Sequence, residues 1–250
     1  MERVPYGQTG LIVSRLCFGT GLMGHLRHNL TPAEAAVILR RAYELGVTFW
    51  DTADGYQTHA HVRAGLEGLD RDRIVINTKT KADTAAGATA DVERFRQELG
   101  LDVLDIVLLH NVETVEELAR RQPALEALLT ARARGLVRAV GISTHLGTGA
   151  IMEAVAARPE IQVCLTTVNR DGLMLKGDMA AHIALVQRCY DAGTAICLMK
   201  TLAQGGLVHD YAAAIRYNMS LPCAHSVCVG INSLRELEED VAAAMPALVG

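Results

Sequence analysis

The chain has 250 residues, half of them hydrophobic and 21% charged, and a formal net charge of −4. Acidic and basic residues are interspersed, which leaves no electrostatic footprint for nucleic acid, and no apolar run approaches the roughly 20 residues that span a bilayer. The opening MERVPYGQTG lacks a basic stretch followed by an apolar core, so it does not read as a signal peptide, and a cytoplasmic location is expected.

In chain order, the first expected element is a short hairpin over residues 2–15, with QTGL (8–11) between two extended segments. β-Branched or apolar runs then begin near residues 16, 47, 74, 104, 137, 161, 195 and 226, one βα unit apart each time. Helix-patterned stretches fill the intervals. Thr31-Pro32-Ala33-Glu34 is a capping box with proline at the first helical position. Thr114 to Glu117 and Ser233 to Glu236 repeat the box without the proline, and apolar residues at helical spacing follow, as with Leu118, Leu125, Leu128 and Leu129. Gly46, Gly100, Gly135 and Gly193 stand where helices should stop before the next strand. Eight such units without a break in composition predict an α/β fold, a (β/α)8 TIM barrel forming one domain over residues 1–250. An open doubly wound sheet is disfavoured because no G-x-G-x-x-G follows the first barrel strand.

Cys17, Cys164, Cys189, Cys197, Cys223 and Cys228 form no C-x-x-C pair and mostly sit in apolar runs, so they read as buried reduced thiols. His25, His28, His59 and His61 suggest a metal only by their number, and none is expected. Trp50 alternates with Asp51 and should point out toward the helices if Asp51 points into the barrel.

Chemistry in such a barrel belongs to the C-terminal ends of the strands. The second run, VTFWD, ends at Asp51, with Tyr56 in the following loop. The third, IVINTK, ends at Lys79; the fourth, LDIVLLH, at His110; the fifth, AVGIS, at Ser143. A lysine or histidine closing an apolar run sits at a partly dry rim, where burial and a nearby carboxylate move its pKa. Singly, each has a plain structural reading: Asp51 capping a turn, Lys79 pairing with a helix carboxylate, Tyr56 a surface aromatic, His110 a satisfied rim histidine. Four on consecutive strands make coincidence the weaker explanation.

The stretches GVTFWDTADGY (46–56), NTK (77–79), LLHNVE (108–113) and VGIST (140–144) resemble the aldo-keto reductase superfamily in order and spacing. TGL near the start, FGTGLMG (18–24) and VGINSLRELEED (229–240) extend the likeness over nearly the whole chain. The resemblance implies an NAD(P)H-dependent oxidoreductase that reduces an aldehyde or ketone to an alcohol, or the reverse, by direct hydride transfer. Tyr56 would be the general acid, a poor one near its ordinary pKa of about 10. Lys79 would lower that pKa, Asp51 would hold Lys79 charged, and His110 would orient and polarise the carbonyl.

For the cofactor, NADPH or NADH, the resemblance points to Gly19, Thr20, Asp51, Ser143, Thr144, Asn169, Met199, Lys200, Leu202, Gly230, Ile231, Asn232, Ser233, Glu236 and Asp240. Departures stand out. Gly230 replaces a lysine found in many members, Glu236 falls where an arginine commonly meets the 2′-phosphate, Thr144 replaces an asparagine, and Met199 an aromatic. NADH is therefore expected to bind at least as well as NADPH. QTHAH after Tyr56 lacks the usual glycine and glutamate. The resemblance also leads one to expect a short, bacterial-type member without the long loops after the fourth and seventh strands, a C-terminal tail over the pocket or an iron–sulfur extension. The expected partner is a small carbonyl compound, not nucleic acid or membrane; nothing in the sequence indicates an oligomeric state. Two other readings stay open: a cofactor-binding sensor or partner-binding module with little turnover, and a lyase or isomerase forming a Schiff base on Lys79. The last needs a neutral, desolvated lysine, which Asp51 and Tyr56 at this spacing oppose.

Overall fold

The computed structural model describes residues 1–25 and 27–245, so the last five residues of the expected 1–250 domain lie outside it. Strand β1 (Arg3–Pro5) pairs antiparallel with β2 (Ile12–Ser14), forming the expected hairpin. Eight parallel strands then close into a barrel: β3 (Leu16–Gly19), β4 (Phe49–Asp51), β5 (Val75–Thr80), β6 (Leu104–Leu109), β7 (Val137–Thr144), β8 (Val163–Thr167), β9 (Ala195–Met199) and β10 (Ser226–Gly230). Each pairs with its neighbours in sequence, and β10 returns to β3 with Cys228 beside Cys17. Five of the eight begin where the apolar runs begin; β4, β5 and β8 start one or two residues later than expected.

Strand alternation divides the apolar residues into two layers. Phe49, Val75, Ile106, Leu108, Leu165 and Cys197 fill the barrel interior, where the hairpin residues Tyr6, Leu11 and Val13 join them. Trp50, Ile76, Val107, Leu109, Val140 and Ile196 face the helices. Trp50 is fully buried there, as its parity with Asp51 predicts, and its indole N–H donates to the Val47 carbonyl at 3.0 Å.

The surrounding helices are α1 (Pro32–Glu44), α2 (His59–Leu66), α3 (Ala85–Leu99), α4 (Val115–Arg120), α5 (Gln122–Ala133), α6 (Gly149–Ala156), α7 (Met179–Asp191), α8 (Tyr211–Ser220) and α9 (Leu234–Ala244). The Thr31 capping box is complete, with hydroxyl and carboxylate each accepting an N–H of the other residue. The other two boxes are half-formed. Thr114 and Ser233 accept the N–H of Glu117 and Glu236, but those carboxylates reach one residue too far back, to the N–H of Glu113 and Asn232. The helical stretch after Thr114 is two helices, because Pro123 has no N–H to donate and its ring crowds the preceding turn. Gly100 ends α3 in the left-handed region at φ 69°, which a β-carbon disfavours; Gly46, Gly135 and Gly193 close their helices in the same conformation. The loop after β9 runs through two short 3-10 turns to Asp210. Among the described residues no helix is long and apolar enough to cross a membrane.

Candidate active site

The C-terminal ends of β4, β5 and β6 bring Asp51, Lys79 and His110 to one side of the barrel mouth. Lys79 lies in the inward row Val75, Asn77, Lys79, and its side chain is fully buried. Its ammonium donates to both Asp51 oxygens at 2.7 Å and to the Thr52 carbonyl at 2.8 Å, which uses all three of its protons. Asn77 donates a further hydrogen bond to Asp51 at 2.5 Å. Burial alone would pull the Lys79 ammonium down, but the Asp51 carboxylate outweighs it and holds Lys79 above the ordinary lysine value. Lys79 is therefore a charged residue in a dry place, and the neutral lysine that Schiff-base chemistry requires is not available.

Tyr56 ends a 3-10 turn, Asp54–Tyr56, and the Lys79 ammonium sits 4.8 Å from the centre of its ring. Burial raises the Tyr56 phenol above its usual value; Lys79 pulls it down but not enough to reverse the shift. This corrects the sequence-based expectation of a lowered pKa. Lys79 offsets a desolvation cost that could not be read without knowing how enclosed the ring is. The turn is gripped from outside. Arg94 of α3 donates to Asp54 at 2.7 Å, to Asp91 at 2.7 Å and to Glu98 at 3.0 Å. Glu98 in turn holds His59 (2.5 Å), whose other nitrogen meets the Thr78 hydroxyl of β5 at 2.8 Å. From inside, Gly24 passes so close that a β-carbon there would lie 2.2 Å from the Tyr56 carbonyl. Thr20 donates to the Asp51 carbonyl at 3.0 Å and joins a hydroxyl chain with Thr58 and Thr52.

His110 meets the Tyr56 ring edge-on, with ring centres 5.7 Å apart. Its backbone is pinned: the N–H donates to the Thr80 carbonyl at 2.8 Å, and its carbonyl accepts from buried Arg121 at 2.8 Å. Arg121 also donates to the Thr80 and Ala82 carbonyls, tying the ends of β5 and β6 together. Burial first, and Lys79 second, push the His110 imidazole down to about 2, so it is neutral. Its Nδ1 is buried with no hydrogen-bond partner among the described residues.

His145, just beyond β7, was not singled out from the sequence. Its ring centre lies 5.7 Å from that of His110, and burial, then Lys200, push its imidazole down to about 4. Glu113 fixes the segment: its carboxylate accepts from the His145 N–H (2.6 Å), the Leu146 N–H (2.8 Å) and the Thr144 hydroxyl (3.0 Å). Its sequence signal is that of a polar residue one place past the end of β7, beyond the Ser143 and Thr144 that close the apolar run.

The structure sorts the residues expected to hold a dinucleotide. Gly19, Thr20, Ser143, Met199, Lys200 and Gly230 lie at or next to the C-terminal ends of β3, β7, β9 and β10. Ser143 accepts the Asn111 N–H at 2.9 Å, and its hydroxyl donates to no polar group among the described residues. Thr144 is turned toward Glu113, and both polar ends of the Asn169 amide bond Leu173, at 2.7 and 2.9 Å. Lys200 is half-buried in a left-handed backbone conformation, pulled below the ordinary lysine value by burial, and has no carboxylate partner among the described residues. Such an unpaired cation suits an anionic ligand group. Leu202 follows in the same loop. Ile231, Asn232 and Ser233 lead into α9, where Glu236 binds the Asn232 N–H at 3.0 Å and its side-chain amide at 3.2 Å. Arg235 is 83% exposed and turned along the helix toward Glu239. Asp240 is buried on the inner face of α9.

Among the described residues, no three His, Cys, Asp or Glu side chains come together to hold a metal. His61 bonds the Leu30 carbonyl, and His59 belongs to the Arg94 network. Five of the six cysteines are buried and Cys228 is half-buried; all are free thiols.

The Aldo/keto reductase family model matches residues 15–220. D-threo-aldose 1-dehydrogenase of a Pseudomonas species is 29% identical over 184 residues, 58% of this chain and 55% of that protein. L-galactose dehydrogenase of Arabidopsis thaliana is 23% identical, covering 97% of this chain and 88% of that one. A crystal structure from Pseudomonas aeruginosa, assigned as an aldo-keto reductase, superposes with a TM-score of 0.82 at 25% identity, over 97% of this chain and 94% of its own. The match spans little more than half the length of the first curated relatives, 55% and 60%.

Proposed function

The chain belongs to the aldo/keto reductase family, and on that basis we propose that it interconverts an aldehyde or ketone and the corresponding alcohol. Reduction consumes the carbonyl compound, one reduced nicotinamide and one proton, and yields the alcohol and the oxidised nicotinamide. The observation that carries the reading is a charged, fully buried Lys79, held by Asp51 beneath the Tyr56 ring, with a neutral His110 edge-on to the same ring. A bound nicotinamide would supply the hydride. The protein's part is to manage the oxygen: the His110 Nε2 proton donates to it, and the Tyr56 hydroxyl hands it a proton as negative charge develops. Lys79 stabilises the phenolate left behind, and Asp51 keeps Lys79 charged and in place.

Gly19, Thr20, Ser143, Asn169 and Met199 are proposed for the nicotinamide end. Lys200, Leu202, Gly230 and Ile231 would follow the phosphates, and Asn232, Ser233, Glu236 and Asp240 the adenosine end. The unpaired Lys200 supports an anion there. NADH is proposed to bind at least as well as NADPH, because Glu236 sets a carboxylate beside Asn232, where it would repel a 2′-phosphate, and the neighbouring cation Arg235 points along α9 toward Glu239. A second reading, a cofactor-binding sensor or partner-binding module with little turnover, draws on Thr144 and Asn169, whose polar groups are already engaged. Separate titrations with NADH and NADPH, followed by nicotinamide fluorescence, test cofactor binding. Adding aldehydes and following absorbance decides between the readings: turnover supports the reductase, and tight binding without turnover the sensor.

A further inference from the structure

The six cysteines divide by the layer of the barrel they occupy. Cys164, Cys189 and Cys223 are buried in the layer between the strands and the helices. Cys17, Cys197 and Cys228 belong to the interior, on β3, β9 and β10, which are neighbours around the closed sheet. Of the six, Cys228 alone is not buried. The next inward positions toward the mouth, Gly230 on β10 and Gly19 on β3, both proposed for the cofactor, supply no side chain to cover it. A β-carbon added at Gly19 would lie 3.1 Å from the Cys228 Sγ, so the sulfur leans into the space that this glycine leaves open. Tyr56, Lys79 and Lys200 all feel the charge of Cys228, which sets its thiol in the same mouth.

We infer that Cys228 is an oxidation site for hydrogen peroxide and that Cys17 resolves it, giving a reversible disulfide across the floor of the barrel mouth. This goes beyond the carbonyl chemistry and needs no turnover. Strand register selects the partner. Cys17 and Cys228 stand directly opposite each other on neighbouring parallel strands. Such strands lie about 4.8 Å apart, inside the roughly 4.4–6.8 Å between α-carbons that a disulfide spans. Cys197 stands opposite Ser226 instead, two residues below Cys228, which makes the diagonal ~8 Å and puts it out of reach. Cys17 does not meet peroxide first, because it is fully buried, and burial, then the neighbouring Cys197 and Cys228 thiols, hold it protonated well above the ordinary thiol value. In the first step the Cys228 sulfur attacks one peroxide oxygen. An S–O bond forms, the O–O bond breaks, and the departing hydroxide leaves with the thiol proton as water. Positive charge on Lys79 and Lys200 stabilises the negative charge that develops on that oxygen. The Cys17 sulfur then attacks the sulfenic sulfur: the S–S bond forms, the S–O bond breaks, and the oxygen leaves with the Cys17 proton as a second water. The two thiols lose two electrons and the peroxide gains them.

The test treats the full, reduced chain with hydrogen peroxide, blocks the remaining thiols with N-ethylmaleimide in denaturant, and maps them by mass spectrometry. Wild type should lose the Cys17 and Cys228 thiols together, in one linked pair of peptides that dithiothreitol separates, while the other four cysteines alkylate fully. Cys17→Ala should stop at the Cys228 sulfenic acid, which dimedone traps. Cys228→Ala should leave Cys17 fully alkylated at the same peroxide dose, with circular dichroism melts showing that both variants are folded. A measurement on wild type keeps the test independent of the variants. Brief iodoacetamide labelling of the native protein should modify Cys228 alone, since reactivity follows exposure, and the protein blocked in this way should keep Cys17 as a thiol under peroxide. The inference is overturned by an unmodified Cys228, by Cys17 oxidation when Cys228 is absent or blocked, or by a sulfenic acid that persists in wild type. A bond from Cys228 to Cys197 or to a second copy of the chain overturns it equally.

Discussion

Asp240 offers the sharpest physical test of the structure. It is 4% exposed on the inner face of α9, accepts no hydrogen bond from any described residue, and has Glu236 and Glu239 on the same helix. Burial, followed by repulsion from those two carboxylates, raises its pKa from 3.8 to about 7. The folded protein therefore holds a proton that the unfolded chain releases between those two values. Stability falls as pH rises through this window, and the loss is complete above about pH 7. At roughly 1.4 kcal/mol per pH unit the full penalty is about 4 kcal/mol, and local relaxation and water entry bring it to ~2–4 kcal/mol. Asp240→Asn keeps the shape and removes the ionisation. Urea unfolding of both proteins at pH 4.5 and pH 8 measures the effect, and subtracting the two conditions cancels the cost of burying an amide. The advantage of the variant should grow by about 2–3 kcal/mol between those pH values. A difference between the two proteins that does not change with pH, or that moves in favour of wild type as pH rises from 4.5 to 8, would show that burial does not hold this carboxyl protonated.

Tyr56→Phe should lower carbonyl reduction by ~100-fold or more while cofactor affinity, read by nicotinamide fluorescence, stays within a few-fold. Wild-type turnover in that variant would remove Tyr56 from the mechanism. Lys79→Met should move the alkaline limb of the rate profile to higher pH, since Lys79 is the group that pulls the Tyr56 phenol down. It should also cost about 3–5 kcal/mol of stability by leaving Asp51 buried and unpaired, and Asp51→Asn added to it should restore much of that loss in a denaturation series. Borohydride with a carbonyl substrate should trap nothing on Lys79 by mass spectrometry; an adduct there would reinstate the Schiff-base reading. Glu236→Arg should raise NADPH affinity by about tenfold, equivalent to ~1.4 kcal/mol. It should lower stability by ~1 kcal/mol through the lost bonds to Asn232, and unchanged NADPH binding would mean that the phosphate lies elsewhere.

Local pattern carried the architecture because helices and strands report through short-range periodicity. Apolar runs about 30 residues apart, capping threonines and serines, and glycines at helix ends were enough to place eight strands within two residues and to set Trp50 on the outer face. The same reasoning marked Asp51, Lys79 and His110, since in this fold the strand ends converge and a polar residue closing an apolar run is conspicuous. What lay beyond it depends on partners distant in sequence. Thr144 faces Glu113, 31 residues away, and the Tyr56 turn is gripped by Arg94, 38 residues from it. Asn169 bonds Leu173, only four residues on, but the loop path that brings them together is set by the packing around it and not by local periodicity. The Tyr56 pKa moved against expectation because charge is visible in a sequence and enclosure is not. Residue types and spacing therefore determined the barrel and the residues at its mouth. Only tertiary packing decided which polar atoms are already used, which are dry, and which, as at His145 Nε2, are left without a hydrogen-bond partner among the described residues.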